Sequence, residues 1–196
     1  MMPKKLLTIL TSTLWLLLSQ AVMAEMTLDA ANSHLYFTSI KNNQVAENHH
    51  FTALSGSVNA TGEAQVTIDL SSVETLIPIR NERMREILFQ VQSMPTAEIT
   101  TQIDMAAINA MQLGERTRMT LPLEISLQGH SVTMDADLQV VKTQANSVLA
   151  TTIRPILVKA ADFGLENGIK ALQKVAGLDA IGLSVPVYAT LVFETE

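Results

Sequence analysis

The chain has 196 residues, a net charge of −6 at pH 7 and no cysteine. Its acidic charge argues against nucleic acids and anionic lipid surfaces as partners, because both carry the same sign of charge. A chain of this length can bury a real core, and without disulfides its stability must come from the packing of aliphatic side chains.

The first 24 residues have the composition of a secretory signal peptide. Lys4 and Lys5 give a positive start, residues 6–18 form an apolar run, and residues 22–24 offer small side chains for cleavage. The alternative, a transmembrane anchor, needs an apolar run of roughly 20 residues. We therefore expect cleavage after residue 24, no membrane span in the mature chain, export to the periplasm or beyond, and one domain over residues 25–196.

Three short strands are predicted after the signal peptide, because apolar and polar residues alternate there with a period of two. The first begins at Leu35 with Phe37 on its apolar face. The second covers residues 51–60, and in the third Val66 and Ile68 alternate with polar residues. Turn residues separate the three strands, as in a meander.

Two short helices interrupt the strand pattern. In residues 81–92 the apolar side chains fall at i, i+3, i+4 and i+7 from Met84, which predicts an amphipathic helix that ends before Pro95. A second helix is predicted within residues 162–182, with Gly177 in the position of a C-cap.

The clearest signal is a hairpin over residues 117–141. A fourth strand precedes it, with period-two alternation from Ile99 to Met105. The hairpin breaks at Gly129 and His130, and alternation resumes in the same phase. Its apolar face contains Met119, Leu121, Leu123, Ile125, Leu127, Val132, Met134, Ala136, Leu138 and Val140.

Two further strands bring the total to eight. The seventh, over residues 148–159, contains Pro155, which indicates an edge or a bulge, and the eighth places Leu191 and Phe193 on its apolar face. Eight antiparallel strands with one apolar face each can form a sandwich or close into a barrel, and closure removes the exposed edges. Such a barrel holds one small ligand or is filled by its own side chains, and periodicity does not choose between these.

The order and spacing of several short blocks resemble the YceI-like family of exported proteins, over nearly the whole mature chain. The blocks are Asn32-Ser33 with Phe37, Phe51 with Gly56, Ile68-Asp69-Leu70-Ser71-Ser72-Val73-Glu74-Thr75, Ile79-Arg80-Asn81-Glu82-Arg83-Met84, Phe89 with Pro95, residues 123–132, and Asp162-Phe163-Gly164.

This resemblance implies a mainly β, eight-stranded antiparallel lipocalin-like barrel with two short helices. It also implies that an elongated apolar interior binds a long-chain isoprenoid or a similar amphipathic lipid, such as a quinone tail, with no other cofactor. We expect selection by tail length rather than by head group, since few inward positions are polar. The residues predicted to line the interior are Phe37, Val66, Ile68, Met119, Leu121, Leu123, Ile125, Met134, Leu138, Leu191 and Phe193.

Five further residues are candidates for the mouth of the barrel or for head-group contacts. Arg80 and Arg83 could meet a polar head, although interleaved glutamates favour a solvated, salt-bridged face. Phe89 and Phe163 border the predicted helices, where they line the mouth or pin the helices down. Arg154 shares a phase with its strand's apolar residues, so it is either a mouth residue or a paired buried charge.

No motif for catalysis or metal binding is present. His49 and His50 are adjacent and should point to opposite faces of a strand, which does not favour a zinc site. We therefore expect a binding or carrier protein and not an enzyme. Two alternatives stay open: a structural or stress-related barrel, filled by side chains, that binds another protein, and an enzyme acting on an isoprenoid.

Overall fold

The computed structural model describes residues 25–195, and the predicted signal peptide lies outside them. The described residues form one antiparallel sheet of twelve strand segments, which closes because β1 pairs with both β4 and β12. The segments are β1 (Met26–Leu28), β2 (His34–Lys41), β3 (Val45–Phe51), β4 (Leu54–Val58), β5 (Glu63–Asp69), β6 (Val73–Glu74), β7 (Thr96–Gln102), β8 (Arg116–Leu127), β9 (His130–Gln144), β10 (Ser147–Thr152), β11 (Ile156–Lys159) and β12 (Ser184–Thr195).

The predicted eight-stranded antiparallel barrel is confirmed. The closed ring runs β1-β4-β5-β7-β8-β9-β10-β12. The remaining segments extend it at one end: β2 and β11 add to β12, β3 pairs with β2, and β6 pairs with β3. Four of the eight barrel strands are therefore each built from two consecutive segments.

The predicted hairpin forms the longest continuous part of the wall. Its strands, β8 and β9, pair from Arg116 opposite Val141 to Leu127 opposite His130. The turn consists of Gln128 and Gly129, whose φ angles are 52° and 74°. Positive φ at both central residues is typical of the type I′ turns that join two-residue hairpins.

Two predicted strands are interrupted in the structure. The predicted second strand, residues 51–60, is not continuous: β3 ends at Phe51 and β4 begins at Leu54. The predicted seventh strand is split at Pro155 into β10 and β11, since proline has no N–H to donate to the ladder.

Three short α-helices cover the barrel ends, one more than predicted. They are α1 (Pro78–Arg83), which continues as a π-helical turn over Met84–Leu88, α2 (Met105–Ala110) and α3 (Glu166–Ala176). The first begins and ends earlier than the predicted residues 81–92. The second replaces the predicted continuation of the fourth strand to Met105, because Asp104 accepts hydrogen bonds from the N–H groups of Ala106 and Ala107 and caps a helix there.

The barrel interior contains two core clusters. The upper cluster lies under the π-helical turn and α3 and includes Leu88, Phe163 and Ile169. The lower cluster is closed by α2 and includes Ile108 and Phe193. Among residues 25–195, no helix has both the length and the apolar content needed to cross a membrane.

Candidate ligand-binding site

The upper half of the barrel encloses an apolar cavity of about 150 Å³, called here the upper cavity. Its walls come from strand faces, and its end is closed by side chains of the π-helical turn and of α3. The lining residues are Leu35, Phe37, Phe51, Ile68, Leu70, Leu88, Phe89, Ala97, Ile99, Ile125, Leu127, Ile156, Val158, Ala160, Leu165, Ile169, Val185 and Val187. Every lining side chain is a hydrocarbon, so the cavity offers a ligand apolar contact and no side-chain hydrogen bond.

The helices over the upper cavity pack closely on each other at Gly168. A Cβ atom added there would lie 3.1 Å from Leu88 Cδ1 and 3.2 Å from the Ile87 carbonyl oxygen. Only glycine allows α3 to approach the π-helical turn this closely. The two elements therefore form one cap over the cavity, with Phe89 beneath it against Phe51, at a ring-centroid distance of 5.9 Å.

A second, smaller apolar cavity of about 50 Å³ lies in the lower half and is called here the lower cavity. It is lined by Met26, Val58, Ile103, Met105, Ile108, Met119, Leu121, Leu138, Val140, Val148, Ala150 and Phe193. The two cavities share no lining residue. The apolar space is thus divided into two chambers, whereas the family resemblance implied one elongated interior.

The residues predicted to line the interior divide between these chambers. Phe37, Ile68 and Ile125 line the upper cavity. Met119, Leu121, Leu138 and Phe193 line the lower cavity. Val66 and Leu123 are buried in the core, and Met134 and Leu191 pack against it, without lining either cavity.

The candidate mouth residues differ in position. Phe89 lines the upper cavity. Phe163 is 0% exposed, so it is a core residue and does not border an opening. Arg154 lies in the break between β10 and β11 and forms an ion pair of 2.6 Å with Asp137, with its side chain 70% exposed. It is neither a mouth residue nor a buried charge, because the break at Pro155 ends the phase that placed it beside apolar residues.

The other two mouth candidates lie on α1, and only one reaches the barrel wall. Arg80 Nη1 is 2.9 Å from Glu47 Oε2, and its Nη2 donates to the Thr75 carbonyl oxygen at 2.6 Å. Arg83 is half-buried and makes no side-chain hydrogen bond or ion pair with another residue in 25–195.

A polar cluster, missed by the sequence analysis, lies beyond Phe37 on the inner face of the β2–β3 hairpin. Lys41 Nζ and Arg80 both pair with Glu47 at 2.9 Å. His49 is 2% exposed, and its Nε2 is hydrogen-bonded to Ser39 Oγ at 2.8 Å. Within residues 25–195, His49 Nδ1 and Arg80 Nε have no hydrogen-bond partner.

The alternation along β2 and β3 is the sequence feature that could have predicted this cluster. Ser39 and Lys41 share a face with Leu35 and Phe37 along β2, so the wall changes from apolar to polar in mid-strand. The same phase predicted that His49 and His50 point to opposite faces, and the structure has His49 buried beside Phe37 at a ring-centroid distance of 5.2 Å.

Burial makes the stability of the protein sensitive to mildly acidic pH through His49. Desolvation, followed by the positive charge of Arg80, lowers the pKa of His49 from 6.5 to about 4; Glu47 raises it, and Lys41 and His50 lower it. The unfolded chain therefore takes up a proton at this residue between pH 6.5 and pH 4 while the folded chain does not. We expect the free energy of unfolding to fall by up to about 3 kcal/mol over that window.

The His49→Gln variant is expected to flatten this pH dependence, because glutamine stays uncharged and still reaches Ser39. His50→Gln is the matched control, since His50 faces outward against Tyr36 at a ring-centroid distance of 5.7 Å, and it should keep the slope. Chemical denaturation at a series of pH values measures both. If the free energy of unfolding depended on pH equally in the two variants, groups other than His49 would cause the loss of stability at acidic pH.

Wider concavities occur on the outside of the barrel, but they are open and partly polar. One of them, of about 760 Å³, is lined by outward residues such as Gln65, Thr100 and Glu124. Within residues 25–195, no three His, Asp or Glu side chains are grouped so that they could hold a metal ion. The two enclosed apolar cavities are therefore the best candidate for a binding site.

Comparison with known proteins links this barrel to one family. A family model described as YceI-like domain matches residues 26–193. The structure is similar to a polyisoprenoid binding domain from Saccharophagus degradans implicated in plant cell wall breakdown, with a TM-score of 0.86 and 38% identity over 89% of this chain and 99% of that chain. A comparison with curated proteins finds no match.

Two more distant solved structures share the fold. Burkholderia cenocepacia BcnA has a TM-score of 0.63 and 19% identity, with 84% of this chain and 98% of that chain covered. The Campylobacter jejuni YCEI protein has a TM-score of 0.50 and 17% identity, with 77% and 89% covered.

Proposed function

Because this chain belongs to the YceI-like domain family, we propose that it binds a long-chain isoprenoid lipid, with a polyprenyl or quinone tail held in the apolar interior of the barrel. The observation that carries this proposal is the upper cavity, which is enclosed by the barrel wall and its helical cap and lined only by hydrocarbon side chains. The similarity to a polyisoprenoid binding domain supports the isoprenoid class of ligand.

The energetics of an apolar site favour long tails. Burial of one CH2 group contributes about 0.8 kcal/mol. Association costs roughly 4 to 15 kcal/mol in lost freedom of motion. The burial of about ten carbons therefore offsets the association cost only where that cost lies in the lower part of its range. A polyprenyl chain of several isoprene units exceeds it, so a long tail is the ligand from which this interior gains most.

The size of the upper cavity adds a condition. An apolar cavity of about 150 Å³ is large enough for one benzene molecule, which corresponds to about one isoprene unit. A long tail must therefore displace side chains as it enters. Flexible leucine and methionine side chains in the lower half, such as Met105, Met119 and Leu138, can change rotamer to make that room.

The polar cluster supports weak selection of the head group. Both terminal nitrogens of Arg80 already have partners, in Glu47 and the Thr75 carbonyl group. Glu47 also offsets the charge of Lys41. A diphosphate head would therefore meet a carboxylate together with the two cations, and an uncharged quinone head would find few free donors, so neither has a clear advantage.

We expect affinity to depend strongly on tail length and weakly on the head group. A prenyl alcohol of about forty carbons should bind at least tenfold more tightly than one of about ten carbons, because more CH2 groups leave water. A quinone and a diphosphate with the same tail should differ by less than about tenfold. Competition against a fluorescent lipid measures these ratios, and equal affinity for short and long chains would contradict the proposed tail site.

We further propose that the protein acts in the periplasm as a non-catalytic binding or carrier protein. The composition of residues 1–24 supports export, and the sequence contains no recognisable nucleophile or metal motif. Expression of the full chain with separation of periplasm from cytoplasm tests the location, and a mature N-terminus at residue 25 is the expected result.

The small size of the two cavities favours one alternative, a side-chain-filled barrel whose surface binds another protein. Native mass spectrometry of the mature protein after mild purification separates the two. A bound mass equal to an isoprenoid lipid supports the lipid carrier. A protein free of lipid that also fails to take up any prenyl chain supports the alternative.

A further inference from the structure

Three side chains, Leu28, Ile99 and Leu191, lie at the boundary between the two core clusters and together are called the septum. They are the partly buried residues that pack against both the upper and the lower core cluster. Ile99 forms part of the lining of the upper cavity, and Leu28 and Leu191 line neither cavity. The septum therefore occupies the position through which a tail would pass from one chamber to the other.

The ring order places these side chains on opposite walls. Leu28 on β1 and Leu191 on β12 lie on adjacent, paired strands. β7, which carries Ile99, is four positions from β12 in the closed ring of eight, which is the opposite side of the barrel. An eight-stranded barrel is just wide enough to be filled by its own side chains. Three aliphatic side chains from facing walls are thus sufficient to divide the interior.

We propose that the septum determines how much of an isoprenoid tail the barrel holds. This inference rests on the proposed lipid-binding function. A short prenyl chain displaces side chains only in the upper chamber and leaves the septum in place. A longer chain reaches the lower cavity only when the side chains of Leu28 and Leu191 rotate aside, so each added isoprene unit contributes less affinity than unhindered burial would give.

Leu191→Ala tests the proposal by opening the septum. Shortening this side chain removes three carbons from the boundary between the chambers, which lets a long tail extend without displacing leucine. We expect affinity for a prenyl alcohol of about forty carbons to rise at least tenfold, and affinity for one of about ten carbons to change less than threefold. Leu191→Phe fills the same position and should reduce the preference for the long chain by a similar factor.

Leu54→Ala is the matched control. Leu54 is a buried leucine of the upper cluster that lines neither cavity and does not pack against the lower cluster. It should lower the melting temperature as Leu191→Ala does and leave the ratio of long-chain to short-chain affinity unchanged. Melting curves of all variants confirm that folded protein is being compared, and Leu191→Phe keeps the test available where an alanine variant fails to fold.

The outcomes separate the septum from the proposed function. Failure of the wild-type protein to bind either chain would overturn lipid binding itself. If both chains bind and the affinity ratio is the same in wild type, Leu191→Ala and Leu191→Phe, lipid binding stands and the septum has no role in tail selection. The role of the septum in tail selection is established if the ratio of long-chain to short-chain affinity rises in Leu191→Ala, falls in Leu191→Phe and does not change in Leu54→Ala.

Discussion

Replacing Phe163 by alanine is expected to lower the free energy of unfolding by about 3 to 5 kcal/mol. Phe163 is 0% exposed and belongs to the upper core cluster, in the 3-10 turn Ala160–Phe163 that leads into α3. Removal of the ring leaves a cavity that the closed barrel wall cannot collapse to fill. Phe163 also belongs to the same core cluster as Ile169 of α3, so the cap over the upper cavity should loosen as well.

Urea unfolding followed by circular dichroism measures this effect, since the single tryptophan, Trp15, lies in the predicted signal peptide. Leu157→Ala is the control, because Leu157 is 55% exposed on neighbouring β11 and should change the free energy of unfolding by less than about 0.5 kcal/mol. If Phe163→Ala proved as mild as Leu157→Ala, Phe163 would not be the core residue described.

Alternation predicted the wall of the barrel where the chain runs without a break. Over β8 and β9 every second side chain faces the interior, from Met119 to Val140, as the sequence indicated. The period of two is a direct consequence of strand geometry, so it survives in any barrel or sandwich. It therefore also placed Leu191 and Phe193 correctly on the inner face of β12.

The errors in the predicted strands arise where a strand ends before the alternation of apolar and polar residues does. Arg154 would face the same side as the apolar residues of β11 only in a continuous strand, and Pro155 interrupts the strand. Met105 continues an apparent alternation from Ile99, but the N-cap Asp104 begins a helix between them. Local hydrogen bonding overrides periodicity at these points, and a boundary error of one residue reverses the predicted face.

Periodicity alone does not predict that the interior is divided into two chambers. Alternation states which side chains point inward but not how far side chains from facing walls reach across the barrel. Leu28 and Ile99 are far apart in sequence and pack against the same two core clusters only because the ring closes. The polar cluster illustrates the same limit, because His49 and Arg80 meet through the placement of α1 over the β2–β3 hairpin.

Val187→Phe is expected to weaken binding of a prenyl alcohol of about forty carbons by at least 100-fold. Val187 lines the upper cavity and lies opposite Phe37 in the β12–β2 pair. A phenylalanine ring there occupies space comparable with the benzene molecule that a cavity of about 150 Å³ accepts. A 100-fold loss corresponds to about 2.7 kcal/mol, or three to four CH2 groups kept out of the cavity.

Val192→Phe on the same strand is the control, because residue 192 belongs to the outward phase of β12. Its N–H donates a hydrogen bond to Ser33 Oγ, which lines neither cavity, at 2.9 Å. It adds the same ring without entering the upper cavity, so binding should stay within about threefold of wild type. Melting curves show whether each variant is folded. Tight lipid binding by a folded Val187→Phe protein would mean that the tail does not occupy the upper cavity, whereas selective loss in this variant would place it there.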